Sequence, residues 1–171
     1  MFHSSRFASI AWSQMAVNAK EYPYGLVAGG MVDGNIHIWD PARLAVGDSE
    51  SLLASVGLYA IFNDSRTNFI YLVLFSTAEQ HQGPINGLHF NPHKESSHLL
   101  ASGGSDCEVY VTSIERPEQP SVFVPAPPPN NAKHTADITK VAWNTQVAHI
   151  LASASQNGSC FIWDLRQKRA W

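Results

Sequence analysis

The sequence predicts an all-β chain, an incomplete β-propeller of about three four-stranded blades. Two observations lead to this prediction. A pattern of strand, small residues, polar turn and second strand occurs three times along the chain, and each copy follows an earlier strand that ends in an aromatic residue. Self-similarity of this kind indicates a repeat fold, and short strands joined by turn residues are typical of propeller blades.

The repeated segments begin at Leu26, Leu100 and Leu151, and they read LVAGGMVDGNIHIWD, LASGGSDCEVYVTS and LASASQNGSCFIWD. The turns VDGN and QNGS contain Asn and Gly, which tolerate the positive φ that tight hairpins require. In the strand after the first turn, apolar residues alternate with His37 at a period of two, as in a β-strand. Each segment therefore predicts a β-hairpin.

A further strand precedes each hairpin. These strands read FASIAW from Phe7, INGLHF from Ile85 and ITKVAW from Ile138. Together with the hairpin and its closing Trp-Asp, they complete the pattern of a WD-repeat blade. The predicted repeats cover residues 7–55, 81–116 and 134–171.

The repeats are spaced more widely than WD repeats usually are. The aligned residues Ala28, Ala101 and Ala152 lie 73 and 51 residues apart, against roughly 40–45 residues for a WD repeat. A Pro-rich loop predicted at 117–133 accounts for the second spacing. Its run Pro125-Ala-Pro-Pro-Pro is either a stiff connection or a polyproline II ligand.

The first spacing requires an unusual insert at 57–78. Removing these 22 residues makes the two spacings equal. The insert is either translated non-domain sequence, such as a retained intron, or a genuine inserted hairpin. Its run from Phe69 to Phe75 has no charge, glycine or proline, so exposure would make it an aggregation hazard.

The composition fits a cytoplasmic binding protein. Hydrophobic residues make up 44% of the chain, enough for a core, and charged residues only 15%, against about 25% usually. The net charge of −3 argues against nucleic acid as a partner. Cys107 and Cys160 are too few for a disulfide framework, and neither has a basic neighbour that would make it reactive.

No motif indicates catalysis, a cofactor or a metal, and the sequence predicts that the protein is not an enzyme. Gly-x-Ser-x-Gly, Gly-x-x-x-x-Gly-Lys and His-Glu-x-x-His are all missing from the sequence. Four histidines are close in sequence, at His81, His89, His93 and His98, but none has a Cys partner at zinc-ligand spacing. We expect them to be ordinary turn and strand residues.

WD repeats commonly contain a buried hydrogen-bond network of a His, a Ser or Thr, a turn Asp and the Trp, which fixes blade geometry. The second repeat has the first three of these with Thr112 in place of Trp, the third has Asn157 in place of Asp, and the first lacks the upstream His. The predicted structural positions, which include the Asp after each Trp, are Asp33, Trp39, Asp40, His81, Ser102, Asp106, His134, Ser153, Asn157, Trp163 and Asp164.

Several longer motifs are more specific than a WD repeat. They read GGMVDGNIHIWDPAR from Gly29, HQGPINGL from His81, LASGGSD from Leu100, WNTQVAHILASAS from Trp143 and WDLRQK from Trp163. They resemble the N-terminal propeller of the larger outer-cage subunit of the COPII vesicle coat. The resemblance implies that the chain holds about three blades of an expected seven.

It also implies a function. The chain would be a structural scaffold component of the coat's outer cage, acting in vesicle budding and transport from the endoplasmic reticulum to the Golgi. Its partners would be the small WD-repeat coat subunit and other coat subunits, at exit sites on the cytosolic face of the endoplasmic reticulum, with peripheral and indirect membrane association. The alternative is a WD-repeat adaptor that mediates protein–protein interactions in another cytosolic complex.

Overall fold

A computed structural model describes residues 6–13, 22–57, 80–116, 119–125 and 132–166, and the backbone of a short strand at 169–170. Most elements in these ranges are β-strands. They are β1 (Phe7–Trp12), β2 (Val27–Met31), β3 (Ile36–Trp39), β4 (Leu52–Val56), β5 (Ile85–Phe90), β6 (Leu99–Gly104), β7 (Val109–Ser113), β8 (Ser121–Phe123), β9 (Ile138–Trp143), β10 (Ile150–Ser155), β11 (Cys160–Asp164) and β12 (Arg169–Ala170), with one α-helix, α1 (Pro41–Ala45), and 3₁₀ turns at Ser49–Ser51 and Lys94–Ser96.

The strands form three four-stranded antiparallel sheets. The first sheet has the order β1-β2-β3-β4, the second β5-β6-β7-β8 and the third β9-β10-β11-β12. Each sheet is therefore a meander of consecutive strands, as in a propeller blade. The prediction of an all-β, incomplete WD-repeat propeller is confirmed. The unusual insert lies, from residue 58 onwards, outside the described residues, and the repeat boundaries stay a prediction.

The three hairpins place equivalent residues in the left-handed region. Gly34 has a φ of 88° and Gly158 a φ of 84°, while Cys107 has a φ of 66° at the matching position of the second sheet. Glycine adopts this conformation without a steric penalty, whereas a residue with a Cβ does not. The second hairpin is therefore the strained one.

The sheets pack face to face around two hydrophobic cores. The first core lies between the first and second sheets, and its fully buried side chains include Ile38, Ile85 and Leu100. The second core contains Val111 of the second sheet together with Leu151 and Trp163 of the third. Burying such residues is the main stabilising force for the stack.

The two interfaces repeat one packing contact. A Cβ added at Gly30 would lie 2.8 Å from the side chain of Ile85, and one at Gly103 would lie 2.5 Å from that of Ile138. Because each isoleucine begins the first strand of the next sheet, both glycines allow consecutive sheets to approach closely. No helix in the described part of the chain has the length and apolar character needed to cross a membrane.

Candidate functional site

The second sheet contains a buried histidine held at both ring nitrogens. Nδ1 of His81 lies 2.9 Å from both carboxylate oxygens of Asp106, and Nε2 lies 2.9 Å from Oγ of Ser102. A carboxylate can only accept, so Nδ1 carries a proton and donates it. In the neutral ring, Nε2 then accepts from the hydroxyl of Ser102. The structure thus brings together three of the predicted site residues.

Asp106 is ionised in this arrangement. Burial alone would raise its pKa, but hydrogen bonds from His81 and from the backbone N–H groups of Gln82 and Glu108 outweigh that effect and hold the pKa below its ordinary value. The two backbone bonds are 2.9 and 3.2 Å long. Hydrogen bonds to the charged form of a carboxylate stabilise it, so the turn and the histidine fix Asp106 as an anion.

The absence of a side chain at Gly104 allows His81 and Asp106 to contact each other. A Cβ at this position would lie 2.5 Å from Nδ1 of His81 and 2.7 Å from Oδ1 of Asp106. Real Cβ atoms do not approach other heavy atoms so closely, so a side chain here would separate the two groups. The sequence does not single out Gly104, because it does not show which side of the sheet the histidine approaches.

The third sheet contains a related network. The indole N–H of Trp163 donates to Oγ of Ser153 over 2.9 Å, and the hydroxyl of Ser153 donates to Nε2 of His134 over 2.7 Å. All three residues are buried. Here too the structure brings together the His, Ser and Trp of the predicted set.

Asn157 does not occupy the place expected for it beside the histidine. Nδ1 of His134 instead lies 3.0 Å from Oγ of Ser159, which is 2.7 Å from Oγ of Ser155, and the hydroxyl of Ser155 donates to Oδ1 of Asn157. Ser155 is the counterpart of Gly104, so its side chain fills the space through which Asp106 reaches His81. The asparagine is therefore linked to His134 through two serine hydroxyls.

The two histidines differ in electrostatics as a result. Burial lowers the pKa of His134 below its ordinary value of 6.5, and no carboxylate in the described part of the chain opposes this effect. His134 is accordingly a neutral link in a chain of hydrogen bonds, whereas His81 pairs with an anion.

In the described part of the first sheet, the predicted residues do not form such a network. Gly29 stands at the position of Ser102 and Ser153, and a Cβ there would collide with the rings of Phe7 and Trp39. The centroids of those two rings are 5.6 Å apart. Two aromatic side chains thus occupy the space that a His and a Ser fill elsewhere, and Asp33 only accepts from the backbone N–H of Asn35 in its own turn.

Asp40 and Asp164 follow a tryptophan at the end of the second strand of a hairpin. Asp40 is 3% exposed, accepts from the backbone N–H of Ala42 and caps helix α1. Asp164 is 1% exposed and accepts from the backbone N–H of Arg166 over 3.0 Å. Both therefore stabilise the turn after the strand.

Hydrogen bonds also join neighbouring sheets, and the sequence does not reveal most of the residues that form them. Trp143 donates its backbone N–H to Nδ1 of His89 and its indole N–H to the backbone oxygen of His89, both over 2.9 Å. The amide of Asn91 donates to the backbone oxygen of Ala148 over 2.7 Å. Asn91 is a recognisable turn residue in the sequence, but the partner of its side chain lies more than fifty residues away.

The order of atoms from Ser102 through His81 to Asp106 is that of a hydrolytic triad. Ser102, however, is 0% exposed and faces residues of the first sheet. A nucleophile must reach its substrate, so in this structure the three residues act as a crosslink within the sheet. Among the described residues, no group of three His, Cys, Asp or Glu side chains is arranged to hold a metal ion.

Comparison with known proteins agrees with this architecture. Residues 73–113 and 130–164 match the family described as WD domain, G-beta repeat. These ranges contain the hairpins and histidines of the second and third sheets, where the two networks lie.

Similarity to curated proteins extends over almost the whole chain. The protein transport protein SEC31 of Dictyostelium discoideum is 37% identical over 97% of the chain, and Sec31A is 32% identical over 95% in Danio rerio and 30% over 96% in Homo sapiens. The chain spans only 11% of the length of each of these relatives. The chain belongs to the WD-repeat proteins and corresponds to part of the WD-repeat region of the Sec31 family.

Proposed function

We propose that this chain is part of the propeller of a scaffold subunit in the outer cage of the COPII coat, and that it acts in protein transport from the endoplasmic reticulum to the Golgi. The observation that supports the proposal is the similarity to proteins named as transport proteins over at least 95% of the chain. The geometry agrees with a scaffold, because the buried polar groups of the second and third sheets bind one another and hold the sheets in place.

The proposed role is structural, without catalysis. The small WD-repeat coat subunit and other coat subunits are the proposed partners of the complete protein, at exit sites on the cytosolic face of the endoplasmic reticulum. Membrane association would be peripheral and would pass through those partners. The alternative of an adaptor in another cytosolic complex is not favoured, since the relatives are named for protein transport.

A chimera tests the proposal. The segment of the Dictyostelium relative that aligns with this chain is replaced by the chain itself, and cells that depend on the chimera are assayed for secretion and for its recovery with coated vesicles. We expect both to persist. The matched control carries Trp163→Ala in the transplanted segment, which should unfold the third sheet and abolish both.

A chimera that is folded and abundant but fails to enter coats would refute the proposal. Purification of the same chimera also distinguishes the alternative. Recovery of coat subunits supports the coat role, while recovery of ligase or kinase subunits in their place would support the adaptor.

A further inference from the structure

The second sheet carries a threonine where the third sheet carries a tryptophan. Thr112 pairs with Leu100 across β6 and β7, as Trp163 pairs with Leu151 across β10 and β11. Thr112 is 0% exposed, and its Oγ1 has no hydrogen-bond partner in the described part of the chain. Burial of an unpaired hydroxyl is unfavourable, so a native structure usually supplies a partner.

A small cavity lies beside this hydroxyl, between the first and second sheets. Its volume is about 10 Å³, close to the least that can hold one water molecule. Ile36 and Val56 line it from the first sheet, and Thr112 and Ser102 line it from the second. The cavity thus occupies space on the side of the sheet where the third sheet has an indole.

Two further polar groups at the cavity have bonding capacity to spare. Gln80 lines the cavity, and its Oε1 is a second buried atom without a partner among the described residues. Oγ of Ser102 donates to His81, but it lacks the second bond that its counterpart Ser153 accepts from Trp163. A hydroxyl oxygen can donate once and accept twice, so Ser102 can still accept.

We propose that the cavity is a binding site for one water molecule, which donates to Ser102 and Gln80 and accepts from the hydroxyl of Thr112. The water takes the part of the indole N–H in the third sheet and completes the network of His81. Three hydrogen bonds are typical for a buried water. The volume excludes a larger ligand, and the carboxylate of Asp106 is already bonded to His81.

The variant Thr112→Val tests the site. A bound water and an unpaired hydroxyl predict changes of opposite sign in the midpoint of thermal unfolding. Valine keeps the shape of threonine and removes the hydroxyl. If the water is bound, the variant breaks its network, and the midpoint of thermal unfolding falls by about 2–4 °C. If the hydroxyl is simply unpaired, its removal relieves the penalty, and the midpoint rises or stays the same, which would overturn the proposal.

Two controls separate the water from a general packing effect. Thr112→Ser keeps the hydroxyl and removes only the methyl group, so it should retain the bound water. Thr112→Val and Ser102→Ala should be non-additive in the unfolding midpoint, because both remove bonds to the same molecule. Full additivity would contradict a shared water.

A measurement on the unmodified chain does not depend on how the variants fold. A water bound between the two sheets should give a cross-peak with the methyl group of Thr112 in a rotating-frame Overhauser spectrum, and neither methyl group of the valine in Thr112→Val should show one. A methyl resonance of Thr112 that is assigned but shows no such peak would refute the site.

Discussion

Gly104→Ala should break the hydrogen bond between His81 and Asp106. The nearest atoms to the added Cβ all belong to these two side chains, so no other interaction should be disturbed as strongly. The added Cβ would lie 2.5 Å from the ring nitrogen and 2.7 Å from the carboxylate oxygen, so one of the two groups must move away. A hydrogen bond to a charged group contributes about 1.5–3 kcal/mol. The reduced freedom of the unfolded chain in a Gly→Ala change offsets about 0.4–1 kcal/mol of this.

We therefore expect a net loss of about 1–2 kcal/mol in the free energy of unfolding. For a chain of this length, that corresponds to a fall of roughly 3–6 °C in the midpoint measured by calorimetry. The hydrogen-bonded Nδ1 proton of His81, observed by NMR, should also move from its downfield position.

Gly83→Ala is the matched control. Its Cβ would meet nothing closer than 3.7 Å, at the Cβ of Ser105. In a background of Asp106→Ala, the Gly104→Ala change should lose most of its effect, because the contact is already gone. Equal stability of Gly104→Ala and Gly83→Ala would refute the reasoning.

Three further predictions concern the core of the third sheet, the strained hairpin and the contact between the second and third sheets. Trp163→Ala should lower the free energy of unfolding by about 3–5 kcal/mol in urea titrations, since the side chain is 7% exposed and donates to Ser153, and full retention of the fold would contradict its place in the core. Cys107→Gly should raise stability by about 0.5–1 kcal/mol, because a φ of 66° is strained for a cysteine. A lower unfolding midpoint in calorimetry would contradict that strain. Burial, and to a lesser extent the charge of Lys140, lowers the pKa of His89 below 6.5. Below a pH of about 6.5 the unfolded chain therefore binds a proton that the folded chain does not, and the free energy of unfolding should fall as the pH drops. His89→Asn, which still offers an acceptor to the neighbouring sheet, should make the decline shallower, and an unchanged pH profile would be evidence against this role.

The sequence was sufficient to predict the hairpins and the strand before each of them, because their signals are local. The Asn-Gly and Asp-Gly turns, the alternation of the following strands and the aromatic residue that ends β1, β5 and β9 all act over a few residues. The pairings of Ala28 with Ile38 and of Ala152 with Ile162 follow directly from such hairpins. The identity of the His, Ser and Trp in the third sheet was also accessible, since repetition aligns these residues.

The partners of those residues were decided by tertiary structure. Whether an aspartate reaches the histidine depends on the side chain that lies between them, and Gly104 and Ser155 differ by only a few atoms. Likewise, the bond between Trp143 and His89 and the cavity beside Thr112 arise where two sheets meet, between residues far apart in the chain. By itself the sequence determined the hairpins, the strand before each hairpin and the family, because these depend on short-range patterns, whereas it predicted a loop at the place of β8. Only the packing of one sheet against the next determined which buried polar groups are satisfied, because hydrogen bonds form between atoms in space and tolerate errors of only a few tenths of an ångström.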